Sequence, residues 1–242
     1  MKDSVKPVYE RGTAVTTTII RLLMIFCLAM FLGACAPPGL YSVDLLYISP
    51  EKTSLADENV KNLSITVTQF NDMRTVDDKR IIGKVVKSDG MKIPILPKHH
   101  MPADAVTRAV KHYLNSKGYH VSNRMPGWNL GDDSIENGWG DIVIGGNIYE
   151  FELICLKEMP IRKYMARVKL SVVFADVAKK KIKFTVNVES SPSLEHVRFT
   201  EGKMTEVMND ALAAAINRIF ENREVHQKIR EIAEQKGNSE KK

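Results

Sequence analysis

A chain of 242 residues, 44 % hydrophobic and 26 % charged, has the apolar content for one sizeable core and lacks the bias of a disordered protein. The formal charge of +6 is shared out along the sequence rather than gathered in a stripe, which argues against nucleic acid as a partner. Three cysteines, Cys27, Cys35 and Cys155, exclude a disulfide-built scaffold.

The first 34 residues read as a targeting segment. Lys2, Lys6, Arg11 and Arg21 precede an uncharged apolar run over residues 22–31, too short for a stable bilayer-crossing helix. Leu32, Gly33, Ala34 and Cys35 close the run and resemble a bacterial lipobox. There the Cys thiol takes diacylglycerol, cleavage falls before it, and the new amine is acylated. The small residues Gly33 and Ala34 suit a peptidase that must accept the backbone. The alternatives are a plain signal with a chance cysteine, or an anchor helix. Removal of residues 1–34 takes away four cations and two acids, leaving a mature charge of +4. Cys27 leaves with the signal and Cys35 is consumed by lipid. Cys155 then stands alone among Leu153, Ile154 and Leu156, as a buried small hydrophobe rather than a nucleophile.

Residues 35–58 begin Ala-Pro-Pro-Gly after the cysteine and are expected to form an extended tether, with Leu45, Leu46, Tyr47 and Ile48 resting on the surface. Ala36 stands where an inner-membrane retention signal would place Asp, which points to the periplasmic face of the outer membrane. A single domain is expected over residues 59–236. Leu63, Ile65 and Val67 alternate with polar residues as in a half-buried strand. A charged loop over residues 71–80 leads to a second extended run at 81–86, and residues 93–96 suggest a short third one. Pro102 and Asp104 open a helix whose stripe is Val106, Ala109, Val110, Tyr113 and Leu114, with Lys117-Gly118 ending it.

Residues 119–122 suggest another short strand, and residues 123–140 a long irregular excursion with both Trp128 and Trp139. Residues 141–156 are one long strand or two joined at a bulge; Gly145-Gly146 marks that bulge or a close backbone approach. Residues 164–176 and 182–188 form an antiparallel hairpin turned at 177–181. A helix from about Lys203 to Phe220 carries an unbroken apolar stripe. Asn222 interrupts it, a short helix with Val225, Ile229 and Ile232 follows, and residues 237–242 are expected as a solvated tail. The fold class is α/β of the α+β kind: a largely antiparallel sheet with two long helices on one face, plus a short C-terminal helix.

No catalytic or phosphate-cradling motif is found, so no catalytic residue, metal ligand or cofactor is assigned beyond the lipid at Cys35. His99-His100 is a lone pair of metal-type ligands without a second pair at a usual spacing. Asp72, Arg74, Asp77, Asp78 and Arg80 make either a loop pinned by a buried Asp–Arg pair or an exposed polar loop. Lys179, Lys180, Lys181 and Lys183 give the hairpin a basic tip. It is either a contact for anionic lipid, lipopolysaccharide phosphate or acidic glycan, or a soluble turn guarding a sheet edge. Trp128 and Trp139 have either folded back on the core or bind a ligand.

In order, the lipobox, the strand followed by Asn71-Asp72-Met73-Arg74-Thr75 and an Ile82-Gly83-Lys84-Val85 run, the helix ending in residues 114–121, and the segment 219–229 resemble the YajG-like family of bacterial outer-membrane lipoproteins. The likeness implies an α/β domain on the periplasmic side of the outer membrane and supplies no catalytic residues. The excursion over residues 123–140 is longer than that family leads one to expect. The leading expectation is a membrane-anchored, non-enzymatic interaction or accessory module with an envelope protein or glycan partner. The alternatives are an auxiliary lipoprotein of an ABC-type or assembly machine handling lipid or polysaccharide, and an unrecognised hydrolase.

Overall fold

The computed structural model describes residues 39–48, 63–158 and 160–239. The lipobox and most of the expected tether, residues 49–62, lie outside the described residues. Ten strands form one mixed sheet: β1 (Tyr41–Val43), β2 (Ser64–Val67), β3 (Asn71–Asp72), β4 (Gly83–Lys87), β5 (Lys92–Pro97), β6 (His120–Val121), β7 (Ile142–Lys157), β8 (Arg162–Asp176), β9 (Lys181–Ser190) and β10 (Ser193–His196). Among the described residues the α-helices are α1 (Pro102–Ser116), α2 (Glu201–Glu221) and α3 (Arg223–Ser239).

The 16-residue β7 is the axis of the sheet. Along one edge it pairs antiparallel with β8 over most of its length. Its other edge is divided among three parallel neighbours, with β2 beside Ile142, β3 beside Asn147 and β4 beside Leu153. The β7–β8 register shifts between Ile148 and Glu150, leaving Tyr149 as the extra residue. Alternation then resumes with the opposite parity. Ile142, Ile144 and Ile148 face the core on one side of the bulge, and Phe151, Leu153 and Cys155 face it on the other. Without the extra residue, one half of the strand would turn its apolar side chains to the wrong face.

Gly145 and Gly146 mark the close approach, not the bulge. A Cβ on Gly145 would sit 2.4 Å from Thr68 Oγ1 and 2.7 Å from the Trp128 ring; on Gly146 it would meet the Ser171 carbonyl at 2.2 Å and the Phe70 ring at 2.7 Å. The glycines let two layers close on the strand from opposite faces. A second shift, between Phe174 and Ala175, makes Lys183 the extra residue of β9. Ile182 therefore leaves the stripe of Phe184, Val186 and Val188 and packs with the tryptophan cluster instead.

Helices α1 and α2 cover one face. Pro at the start of α1 costs no helical hydrogen bond, and Gly118 ends it at φ +91°, where a side chain would be strained. Thr200 caps α2, accepting from the Lys203 N–H at 3.2 Å. The α2 stripe, including Leu212 and Ile216, is fully buried against β8 and β9, and Tyr113 of α1 stacks on Phe220 of α2 at 4.4 Å between ring centroids. Asn222 ends α2 and its side chain accepts the Glu224 N–H at 2.9 Å, which starts α3. Helix α3 runs through Ser239, into the segment expected to be a tail.

The domain begins earlier than residue 59. Strand β1 lies parallel to β5, with Val43, Leu45 and Tyr47 in the core, so only Leu46 and Ile48 rest exposed as expected of a tether. Asn209 of α2 clamps this segment. Its Oδ1 accepts the Leu46 N–H at 3.0 Å, and its Nδ2 donates to the Asp44 carbonyl at 3.1 Å. Leu212→Ala should cost about 2–5 kcal/mol in urea unfolding, the usual effect of emptying a buried leucine site. A chain starting at Asn59 should be destabilised against one starting at Gly39, because it lacks Val43, Leu45 and Tyr47; equal midpoints would show that β1 adds nothing.

Candidate functional site

The division of the β7 edge leaves a gap between β3 and β4, crossed by the loop that joins them. Arg74 fills its base with an almost fully buried side chain. Its guanidinium donates to both carboxylate oxygens of Asp72, at 2.9 and 2.7 Å, and to the carbonyls of Ile81, Lys79 and Phe151. Five donors are thus spent on one carboxylate and three carbonyls, the fork geometry for which arginine is suited. Of the two readings of this loop, the buried pair is the one realised. Asp78 and Arg80 pair at 2.9 Å in solvent. Burial pushes the Asp72 carboxyl up, but the hydrogen bonds and charge of Arg74, with Lys79 adding to them, outweigh it and hold the group below its ordinary value.

Above Arg74 lies a groove of about 750 Å³, walled by Val76 and Ile81 of the loop, Lys84 and Pro94 of β4 and β5, and Tyr149 and Glu152 of β7. Its volume is in the range of small-molecule sites. Val76, Ile81 and Tyr149 are exposed, and the bulge is what places Tyr149 on the rim. Lys84 and Glu152 pair across the strands at 3.5 Å. A second concavity of about 710 Å³ is lined by polar and charged residues of α3, including Arg223, His226 and Glu234.

The other sequence candidates resolve separately. Leu32, Gly33, Ala34 and Cys35 lie outside the described residues. Trp128 and Trp139 have folded back. They meet edge to face at 6.3 Å and, with Ile135, cover Val143, Val173 and Ala175 on the sheet face away from the helices. Trp128 Nε1 donates to the Gly131 carbonyl at 3.1 Å, and Asp132 accepts the Ile182 N–H at 2.6 Å, tying the excursion to β9.

At the hairpin tip, the buried Asp176 carboxylate accepts the Lys179 N–H and sits 3.5 Å from Lys183 Nζ and 4.0 Å from Lys179 Nζ. Lys179 also donates to Gln235 of α3. Two of the four cations are therefore engaged by the protein, while Lys180 and Lys181 are exposed. His99 is exposed and His100 partly so; among the described residues no cluster of three metal-type ligands occurs. Burial pushes the Cys155 thiol up to about 12, so it carries no thiolate at neutral pH. Among the described residues no helix is long and apolar enough to cross a membrane.

No family model matches the chain, and no curated protein matches it. Among solved structures, a Xanthomonas campestris protein of the DUF330 family is similar at 11 % identity and a TM-score of 0.48, covering 83 % of this chain and 99 % of its own. A Helicobacter pylori protein named as a homolog of a neuraminyllactose-binding hemagglutinin has 11 % identity and a TM-score of 0.45, covering 80 % and 100 %. The lipoprotein GNA1162 from Neisseria meningitidis has 11 % identity and a TM-score of 0.36, covering 66 % and 99 %.

The Asp72–Arg74 pair makes a pH-dependent contribution to stability. Because the folded carboxyl titrates below its unfolded value, the contribution is whole above the ordinary aspartate range and is lost as pH falls through the depressed folded value. Asp72→Asn should cost about 3 kcal/mol at neutral pH by leaving a buried guanidinium without its counter-charge. It should also flatten the acid limb of a stability-against-pH curve measured by urea melts; an unaltered limb would assign that limb to other carboxylates.

Proposed function

We propose that the protein is a lipid-anchored lipoprotein of the bacterial envelope, a non-catalytic interaction or accessory module held on the periplasmic face of the outer membrane. The observation that carries this is Leu32-Gly33-Ala34-Cys35 at the end of an uncharged run behind a basic segment. Diacylglycerol on the Cys35 thiol and a fatty acyl group on its amine supply the membrane affinity, and at ~0.8 kcal/mol per buried methylene three chains hold essentially permanently. Ala36 after the cysteine favours the outer membrane, and the four stretches shared with YajG-like lipoproteins favour that family. Partners are an envelope protein or glycan, and no nucleic acid.

Metabolic labelling with a radioactive fatty acid tests the anchor. Wild type should incorporate label and fractionate with membranes, whereas Cys35→Ser should do neither; equal incorporation would overturn the reading.

The groove beside Tyr149 favours a second reading, an auxiliary lipoprotein of an ABC-type or assembly machine that handles lipid. Its apolar rim of Val76, Ile81 and Tyr149 has room for an acyl segment. A fluorescent fatty-acid probe should bind wild type and lose affinity about tenfold in Ile81→Asp, a change equivalent to about 1.4 kcal/mol. Equal binding by both would leave the groove without that role.

A further inference from the structure

The two ends of the sheet are unlike, and the point where the chain joins it selects one of them. Tyr41 pairs with Ile95, which pairs with Gly83, which pairs with Leu153. Strand β1 runs antiparallel to β7, so the chain enters the sheet from the end that carries Lys157. Tyr41 meets Phe199 edge to face at 5.5 Å, and Lys157 Nζ lies 5.0 Å over the same ring, which places the incoming chain beside that end. Cys35 is six residues before Tyr41. At about 3.5 Å per residue, six residues reach no more than ~20 Å.

Loops of this end expose apolar side chains among cations. Leu40, Met91, Ile161 and Val197 are exposed by 59, 48, 48 and 70 %. They come from the incoming chain, the β4–β5 turn, the β7–β8 turn and the segment after β10. Lys87, Lys92, Lys157, Lys163 and Arg198 lie in or beside the same turns. Of the acids there, Glu195 is 3.8 Å from Lys163, Asp89 accepts the Met91 N–H at 2.9 Å, Glu201 accepts the Ser42 N–H at 3.3 Å, and Glu158 is exposed. Exposed aliphatic side chains interleaved with lysine and arginine match the boundary between acyl chains and anionic head groups. The basic hairpin tip is at the other end of β7, beyond Ile142 and Asp176. Over 16 residues at about 3.3 Å each, that is ~50 Å away, well beyond the reach of the leash.

We infer that the end of the sheet carrying Leu40, Met91, Ile161 and Val197 is a second membrane contact, seated on anionic lipid head groups beside the anchor, while the Lys179–Lys183 tip points away from that membrane. This rests on the proposed acylation of Cys35, which brings the leash to the bilayer. It orients the domain, with the hairpin tip and the tryptophan-covered half of the sheet directed toward the interior of the compartment.

The full acylated chain in vesicles containing phosphatidylglycerol and a nickel-chelating lipid tests it, with a nitroxide on Ile161→Cys or on Lys180→Cys. Buried Cys155 leaves the introduced thiol as the reactive one among the described residues. Nickel should relax the label at position 161 several-fold more than the label at 180. Equal relaxation, or the reverse, overturns the orientation. Lys87→Gln with Lys157→Gln and Arg198→Gln should lower the relaxation at 161, as should raised salt acting on the unsubstituted charges. Relaxation that neither changes overturns the head-group contact. Mass spectrometry and vesicle flotation of the same samples separate the two readings. An acylated, floating chain with equal relaxation at both positions removes the contact and keeps the anchor, whereas a chain without acyl groups removes both.

Discussion

The sixteen-residue β7 keeps one face in the core along its whole length because its register with β8 shifts once, at Tyr149. The extra residue at Tyr149 reverses the parity, so the isoleucines before it and Phe151, Leu153 and Cys155 after it serve a single core. The same bulge lies where the parallel edge changes from β3 to β4, so neither neighbour has to follow the bend. The resulting gap needs something to satisfy the carbonyls of Phe151 and Ile81, and Arg74 supplies it with Asp72 as its counter-charge. The groove is what remains open above that plug.

Much of this was legible in the chain. Helix stripes, the central hairpin, the Gly118 cap and the break at Asn222 all rest on local periodicity and capping chemistry, and the structure places them as read. The bulge was half legible. Gly145-Gly146 drew attention as the irregular point, yet the parity of the apolar residues changes between Ile148 and Phe151, and that change was the stronger signal. Glycine there answered to Thr68 and Trp128 on one face and to Phe70 and Ser171 on the other, partners distant in sequence.

Strands β1, β3 and β10 were not legible. Each is two to four residues long, sits in no longer alternating run, and pairs with a longer neighbour. Tyr41–Val43 also follows Pro37, Pro38 and Gly39, a composition that reads as linker. It is held by pairing with β5, and the residues just after it are tied down by Asn209, a polar residue beside an apolar helix stripe that gives no hint of its partner 165 positions earlier. Of the site residues, the Asp72–Arg74 pair could be named from spacing. Tyr149, Val76 and Ile81 could not, because their shared feature is a gap in strand pairing rather than a motif.

The face of the sheet away from the helices is divided between two solutions to one problem. Beside Val143, Val173 and Ala175 the strands are apolar on both sides, as buried strands are, and the excursion with Trp128 and Trp139 covers them. Beyond the bulge the same face carries Arg167 against Glu150 at 3.3 Å and Glu189 at 3.9 Å, Lys169 against Glu150 at 3.9 Å, and Lys84 against Glu152 at 3.5 Å. Exposed pairs of this kind add little stability each, so their consequence is solubility and strand register rather than strength. Covering them with protein would cost the desolvation of several charges. The uncovered half of this face therefore runs from the groove at Tyr149 toward the end where the chain enters, and its tryptophan-sealed half lies toward the hairpin tip.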